Sequence, residues 1–216
     1  MKFVYYEDQY CYYIRKPAGI PSTFWKEKSF LELVFEEVDN EIIKKLKYNF
    51  SEEEEYGLLN RLDNATSGLL YFAKSKEIKE KYKDLQKNGC VNKYYILECY
   101  WDITYWTKEN WNIIDYPIVH HKFSKDRMVV VKKDKDLEKW KTRLHRVETK
   151  ILEHCRDKDR QVSVVIVSIQ KWIRHQIRSH FSSIGYPIVG DEIYWKKKDQ
   201  EKWYLQLFSV GLLVKG

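Results

Sequence analysis

An arginine and an aspartate two residues apart, Arg61 and Asp63, stand in the run Asn60-Arg-Leu-Asp-Asn-Ala-Thr-Ser-Gly68. Small residues follow, and an apolar stretch from Leu69 to Ala73 begins directly after them. A carboxylate on a loop backed by a rigid strand is a common setting for a catalytic group, because the scaffold holds what the loop exposes. The same spacing also suits an Asx-type turn in which Asp63 accepts from the amides of Thr66 or Ser67. Spacing alone leaves both readings open. Metal chemistry has less support. His175 and His180 are five apart and do not share a helix face, and no acid is spaced as in a zinc-protease helix. The pair His120-His121 reads as loop surface. Cys11, Cys90, Cys99 and Cys155 show no C-x-x-C spacing, so neither a zinc site nor a disulfide framework is expected.

The elements that would position these groups can be read from periodicity and punctuation. Phe3 to Tyr6 and Tyr10 to Arg15, flanking Glu7-Asp8-Gln9, suggest a hairpin. Lys16-Pro-Ala-Gly-Ile-Pro21 interrupts regular structure. Ser29 and Glu32 have capping-box spacing, predicting a helix over Phe30 to Val38. Ser51 to Glu55 reads as a solvated acidic loop. Leu69 to Ala73 is a buried strand, and Ser75 caps a helix that ends near Asn88 with Gly89 as its left-handed terminator. Strands are expected over Val91 to Tyr100, Met128 to Val131, Leu144 to Leu152, Val162 to Ile169 and Leu205 to Val214. A helix is expected over Trp172 to Ile184. Trp101 to Asp126 reads as irregular. Its tryptophans Trp101, Trp106 and Trp111, interleaved with Lys108, Lys122 and Lys125, suit either an RNA-stacking loop or buried aromatics. Strands outnumber helices without repeating βαβ units, so the expected class is α+β on a largely antiparallel mixed sheet with flanking helices, in one domain.

Four motifs in order extend this reading. Asn60 to Lys74 resembles the HRLD-x-x-TSGLLL-x-AK signature of the RluA-type ribosomal large-subunit pseudouridine synthases. Tyr6-Glu-Asp8 with Lys16-Pro-Ala-Gly-Ile-Pro21 resembles the family's opening segment. Lys93-Tyr-Tyr-Ile-Leu97 resembles its K-x-Y strand. His175-Gln-Ile-Arg-Ser-His180 with Gly185 to Asp191 and Tyr194 resembles its HQIR and GD segments. The resemblance implies the pseudouridine synthase catalytic fold and isomerisation of uridine in RNA, without cofactor or metal. It implies Asp63 as the nucleophile, and carboxylates forming covalent intermediates on sugars are chemically ordinary. Arg178 would be the guanidinium that keeps Asp63 ionised, and Tyr95 would stack on the uracil and relay a proton. Arg61 would fill the space left by the flipped nucleotide. Arg174, His175 and Gln176 fall with the RNA-binding motif.

The net charge of +7 fits an anionic partner, although the excess of lysine over its nine arginines could be compositional. No signal peptide and no run of roughly 18 apolar residues is visible, so a cytoplasmic RNA enzyme acting as a monomer is expected. Ribosomal RNA is the default substrate and transfer RNA the next. The small S4-type RNA-binding domain that many relatives carry is not expected at the N-terminus. The chain departs from the family at Lys171-Trp-Ile-Arg174, where a threonine-glycine-arginine-threonine turn is usual, and at Asn60, where histidine is usual. The competing reading is therefore a catalytically impaired RNA-binding protein of the same fold.

Overall fold

The computed structural model describes residues 5–23, 28–124, 126–132, 143–195 and 204–215. Phe3 and Val4 of the expected hairpin, and Lys125 of the tryptophan-rich segment, lie outside the described residues. The chain divides into two compact units, residues 1–91 with 208–216, and residues 92–207.

In the first unit, β1 (Tyr5–Glu7) and β2 (Cys11–Lys16) form the expected hairpin. Its turn is closed by the Asp8 carboxylate, which accepts from the amides of Tyr10 and Cys11, both at 2.7 Å. Strand β2 runs antiparallel to β3 (Ser67–Ala73), with Ile14 opposite Leu70 and Lys16 opposite Gly68. On the other side of β3 lies β10 (Leu207–Val214), parallel to it, with Ser209 opposite Gly68. Gly68 is required there. Its φ is +118°, and an added Cβ would collide with the backbone of Ser209.

Helix α1 (Phe30–Glu37) starts at the complete capping box: Glu32 N donates to Ser29 Oγ, and Ser29 N donates to the Glu32 carboxylate. It buries Phe30, Leu31, Val34 and Phe35, and the Phe35 ring meets Phe72 of β3 at 5.9 Å. Each such side chain taken from water contributes about 1.5–3 kcal/mol, so this face holds the helix on the sheet. Helix α2 (Glu41–Asn49), capped by Asn40 and burying Ile43 and Leu46, has no counterpart among the sequence expectations. Helix α3 (Lys76–Lys87) follows Ser75 as expected, and Gly89 takes the left-handed conformation after it.

The second unit is built on the order β4-β9-β8-β5, all antiparallel. Its strands are β4 (Val91–Tyr100), β5 (Ile113–Ile114), β8 (Thr149–Asp157) and β9 (Val162–Ile169). A separate hairpin joins β6 (Ile118–His120) to β7 (Met128–Val130). The α+β class is as expected, and three local expectations are corrected. The segment Trp101 to Asp126 is structured, holding α4 (Thr104–Glu109), β5 and β6. Strand β8 begins at Thr149 rather than Leu144 and runs on through polar, largely exposed residues to Asp157. Among the described residues ahead of it, His145 forms an isolated bridge with Ile118.

The third correction concerns the last helix, α5 (Gln176–Ser183), which starts four residues later than Trp172. His175 stands before it in the left-handed region, at φ 55°. Gln176 closes the turn ahead of the helix, accepting from Ile173 N with Oε1 at 3.1 Å. Phe181 and Ile177 of α5 are buried in this unit's core.

Candidate active site

In the first unit the loop carrying Arg61 and Asp63 is tied down at three points before it enters β3. Asn60 acts as a surrogate strand residue: its Oδ1 accepts from Tyr71 N at 2.8 Å and its Nδ2 donates to Leu69 O at 3.4 Å. The buried Ser22 hydroxyl donates to Leu62 O at 2.8 Å and accepts from Leu62 N at 3.0 Å. The third tie is the fully buried Lys16, whose Nζ donates to the carbonyls of Pro17, Ile20 and Asn64. Within the loop itself, Thr66 N donates to the Asp63 carbonyl at 3.0 Å, which turns the chain toward the strand. Asp63 therefore sits, half-buried, between two anchored residues. Arg61 is exposed on the same loop and ion-paired to Glu55.

The Glu55 pairing is itself built in. Glu55 and Tyr56 both have positive φ, and the Tyr56 ring stacks on Phe35 with centroids 3.9 Å apart. The acidic stretch expected to be a plain solvated loop thus ends in a fixed 3-10 turn, Glu55–Gly57. Burial lowers the Lys16 pKa to about 8, and the Asp63 carboxylate opposes that shift.

In the second unit Tyr95 lies on β4 opposite Val167 of β9 and is buried. Lys93, two residues earlier, is also buried, and that burial alone lowers its pKa to about 8. Arg178, on α5, is buried and makes a bidentate pair with Asp191: Nε to Oδ2 at 2.8 Å and Nη2 to Oδ1 at 2.7 Å. The fully buried Asp191 also accepts from the amides of Ile193 and Tyr194. Its four accepted hydrogen bonds explain how a carboxylate and a guanidinium persist out of water. The Tyr194 ring receives the Arg178 and Arg127 guanidinium groups at 5.6 and 5.5 Å.

The remaining expected residues cluster at the start of α5. The Tyr194 hydroxyl accepts from Met128 N at 2.8 Å and lies 3.2 Å from His175 Nδ1. Burial, with Arg178 and Arg174 nearby, pushes the His175 pKa down to about 3, so the ring is neutral near pH 7. Gln176 donates to Glu148 O at 2.9 Å. His175 and Gln176 thus serve the fold's own hydrogen bonding. Arg174 is exposed, ion-paired to Asp126 at 3.3 Å, and precedes the helix instead of lying on its face. The departure at Trp172-Ile173 has a packing explanation: Ile173 joins the apolar cluster of Ile118, Met128 and Val147 beneath the β6–β7 hairpin. Of the tryptophans, Trp111 is almost wholly exposed, and Trp101 meets Trp195 edge-on at 5.4 Å.

Lys16 and Asp191 belong to the quoted motifs but carry no role from the sequence. Each is an ionisable residue in an apolar or glycine-proline segment, a pattern that fits a surface position equally well, and burial is what marks it as a charge needing partners. Among the described residues no group of three or more histidine, cysteine or carboxylate side chains is gathered as for a metal ion, and no helix is long and apolar enough to cross a membrane.

The family model described as RNA pseudouridylate synthase matches residues 10–183, and this chain belongs to that family. It is 28% identical over 194 residues to ribosomal large subunit pseudouridine synthase D of Pseudomonas aeruginosa, covering 88% of this chain and 52% of that protein. It is 29% identical over 215 residues to an uncharacterised RNA pseudouridine synthase of Zymomonas mobilis, covering 99% and 87%. The chain spans about half the length of the first of these relatives. In fold it matches the solved human RNA pseudouridylate synthase domain containing 1 with a TM-score of 0.66 at 18% identity, over 98% of this chain and 78% of that one.

Proposed function

We propose that this chain isomerises uridine to pseudouridine in RNA, with Asp63 as the nucleophile. The observation that carries the reading is the anchoring of the Asp63 loop by Asn60, Ser22 and Lys16 within a chain of this family. Three ties around one carboxylate preorganise it, which is what a nucleophile on a loop requires. In the reaction the C1′–N1 bond breaks, the uracil turns, the C1′–C5 bond forms, and the proton leaving C5 is balanced by one gained at N1. No redox change occurs. Tyr95 stacks on the base and relays the proton, and Arg178 is the further catalytic candidate. Arg61 and Arg174, both exposed, meet the RNA. His175 and Gln176 hold the turn that presents Arg174. The substrate is ribosomal RNA, as in the name of the Pseudomonas aeruginosa relative, or transfer RNA, as in that of tRNA pseudouridine synthase C of Vibrio cholerae, to which the chain is 26% identical over 191 residues.

The test is to incubate wild type and Asp63→Asn with total host RNA and to map pseudouridine by mass. Wild type should add pseudouridine at defined sites. Asp63→Asn should add none while binding RNA within about threefold of wild type, because a nucleophile acts on the barrier rather than on phosphate contact. Residual isomerisation above about one percent in Asp63→Asn would remove it as nucleophile. Binding without isomerisation by wild type would favour the non-catalytic reading.

A further inference from the structure

Phe123 stands at the tip of the β6–β7 hairpin and is 86% exposed. Single exposed apolar side chains are common on protein surfaces. This one differs in being held on an anchored turn. The base of the hairpin is buried at Ile118 and Met128. Past its last strand pair, His120 with Met128, the chain is closed by His121 N donating to Arg127 O at 3.0 Å. Within the tip, His121 Nδ1 accepts from the amides of Phe123 and Ser124 at 3.1 and 3.0 Å. One imidazole nitrogen thus holds both peptide units that flank the Phe123 side chain. Lys122 Nζ lies 5.3 Å from the centroid of the ring.

Charge decides what such a ring could meet. Within four residues of Phe123 the sequence carries Lys122, Lys125 and Arg127 against one acid, Asp126, and Asp126 is paired to Arg174. Arg127 is exposed, with its guanidinium 5.5 Å from the centroid of the Tyr194 ring. Trp111 is more exposed than Phe123, but its surroundings are acidic, with Glu109 and Asp115 against Lys108 over the same span. The hairpin tip, and not the tryptophans, is therefore the aromatic face that fits a polyanion. A ring among cations suits a nucleobase, because every base has a π-face and its flanking phosphates meet the positive charges. A base inside a duplex has no free face, so the strand must be unpaired. We propose that the β6–β7 tip is a second RNA contact, where Phe123 stacks on an unpaired base other than the isomerised uridine while Lys122 and Arg127 meet the adjoining phosphates. This rests on the reading of the chain as an enzyme that acts on RNA.

The experiment titrates the full chain against two labelled probes, a single-stranded oligouridylate and a fully paired RNA duplex of the same length, by fluorescence anisotropy. Phe123→Ala should weaken binding of the single strand by about fivefold or more. Its binding of the duplex should change by less than about twofold. Phe123→Trp should hold the single strand at least as tightly as wild type, and Phe123→Leu, apolar but without a flat π-face, should fall with Ala. Lys122→Ala should weaken binding and reduce the slope of log K against log salt by about 0.7. Single-strand affinity of Phe123→Ala equal to wild type would overturn the proposal, as would an equal loss on both probes or a Leu variant as tight as wild type. So would a change confined to oligomeric state in size-exclusion chromatography, which would give the tip to a second copy of the chain. If Phe123→Ala does not fold, Phe123→Trp against Phe123→Leu decides by the same ranking. The isomerisation assay with host RNA keeps the two readings apart. If wild type isomerises no uridine but Phe123→Ala still loses the single strand selectively, the enzymatic reading fails and the contact stands. If wild type isomerises while all the Phe123 variants bind alike, only the contact fails.

Discussion

Lowering the pH from about 7.5 to about 5 should destabilise the second unit through two buried imidazoles, His175 and His180. His180 Nε2–H donates to Tyr116 O at 2.9 Å, which leaves Nδ1 as the acceptor for the Thr149 hydroxyl, also at 2.9 Å. A second ring proton would turn that acceptor into a donor facing a hydroxyl that already receives Gln176. Burial pushes the His180 pKa down to about 4 and that of His175 to about 3, from an ordinary 6.5. Both folded values are depressed, so this stability is present above 6.5 and is lost as the pH falls toward the folded values. The unfolded chain takes up protons that the folded one refuses. At about pH 5 each ring forfeits about 2 kcal/mol, since roughly 1.5 log units separate that pH from the ordinary imidazole value. Together that is about 4 kcal/mol out of a typical total of about 5–15 kcal/mol. The carboxylates with lowered pKa, such as Glu7 and Asp8, act below this window because their ordinary values are already 4.5 and 3.8. Urea unfolding at a series of pH values, on wild type and His180→Gln, measures the effect. Glutamine can donate to Tyr116 O and accept from Thr149, so the variant should lose about 2 kcal/mol of the pH dependence while keeping the bonds. Parallel curves for the two proteins would refute the assignment of a neutral, proton-refusing His180.

Two further substitutions probe the framework of the site. Arg178→Ala strands the buried Asp191 carboxylate and should cost about 3–5 kcal/mol together with activity; Arg178→Lys should recover part of the stability but not the bidentate geometry. Unfolding midpoints that rank Arg178→Ala level with wild type would show that the pair is dispensable. Gly68→Ala should cost about 3 kcal/mol or more, because the added methyl meets the Ser209 backbone at a left-handed φ. A melting temperature equal to wild type would show that β3 and β10 can part there without loss.

Strands β4 and β9 run over the residues their apolar patterns mark, and α1 and α3 begin at the caps that Ser29 and Ser75 provide. These elements are legible because pattern and punctuation agree with the packing. Helix α2 carries a cap at Asn40 ahead of Ile43 and Leu46, but its short lysine-rich run has too few apolar residues to reveal its period. Strand β8 lies later than hydropathy suggests. Its residues Glu153 to Asp157 are polar and largely exposed, so pairing with β9 decides where the strand runs. The onset of α5 escapes sequence reasoning for another reason. His175 adopts a left-handed conformation stabilised by Tyr194, 19 residues away, and no local signal reports that. At the candidate site, Asp63, Tyr95 and Arg178 can be named from motif position. Lys16 and Asp191 acquire meaning only once burial is known, because a lysine before proline reads equally well as surface.

The pairing of β3 with β10 also sets an order of events during synthesis. Ser209 Oγ donates to Leu69 O across 140 residues of sequence, and Lys215 N donates to Cys90 O. Residues 92–207 emerge from the ribosome as one continuous stretch, ahead of residues 208–215. The strand edge behind Asp63 must wait, unpaired, until residues 208–215 arrive. During that interval β3 offers an open apolar edge to any other chain nearby, so synthesis itself is a window for mispairing.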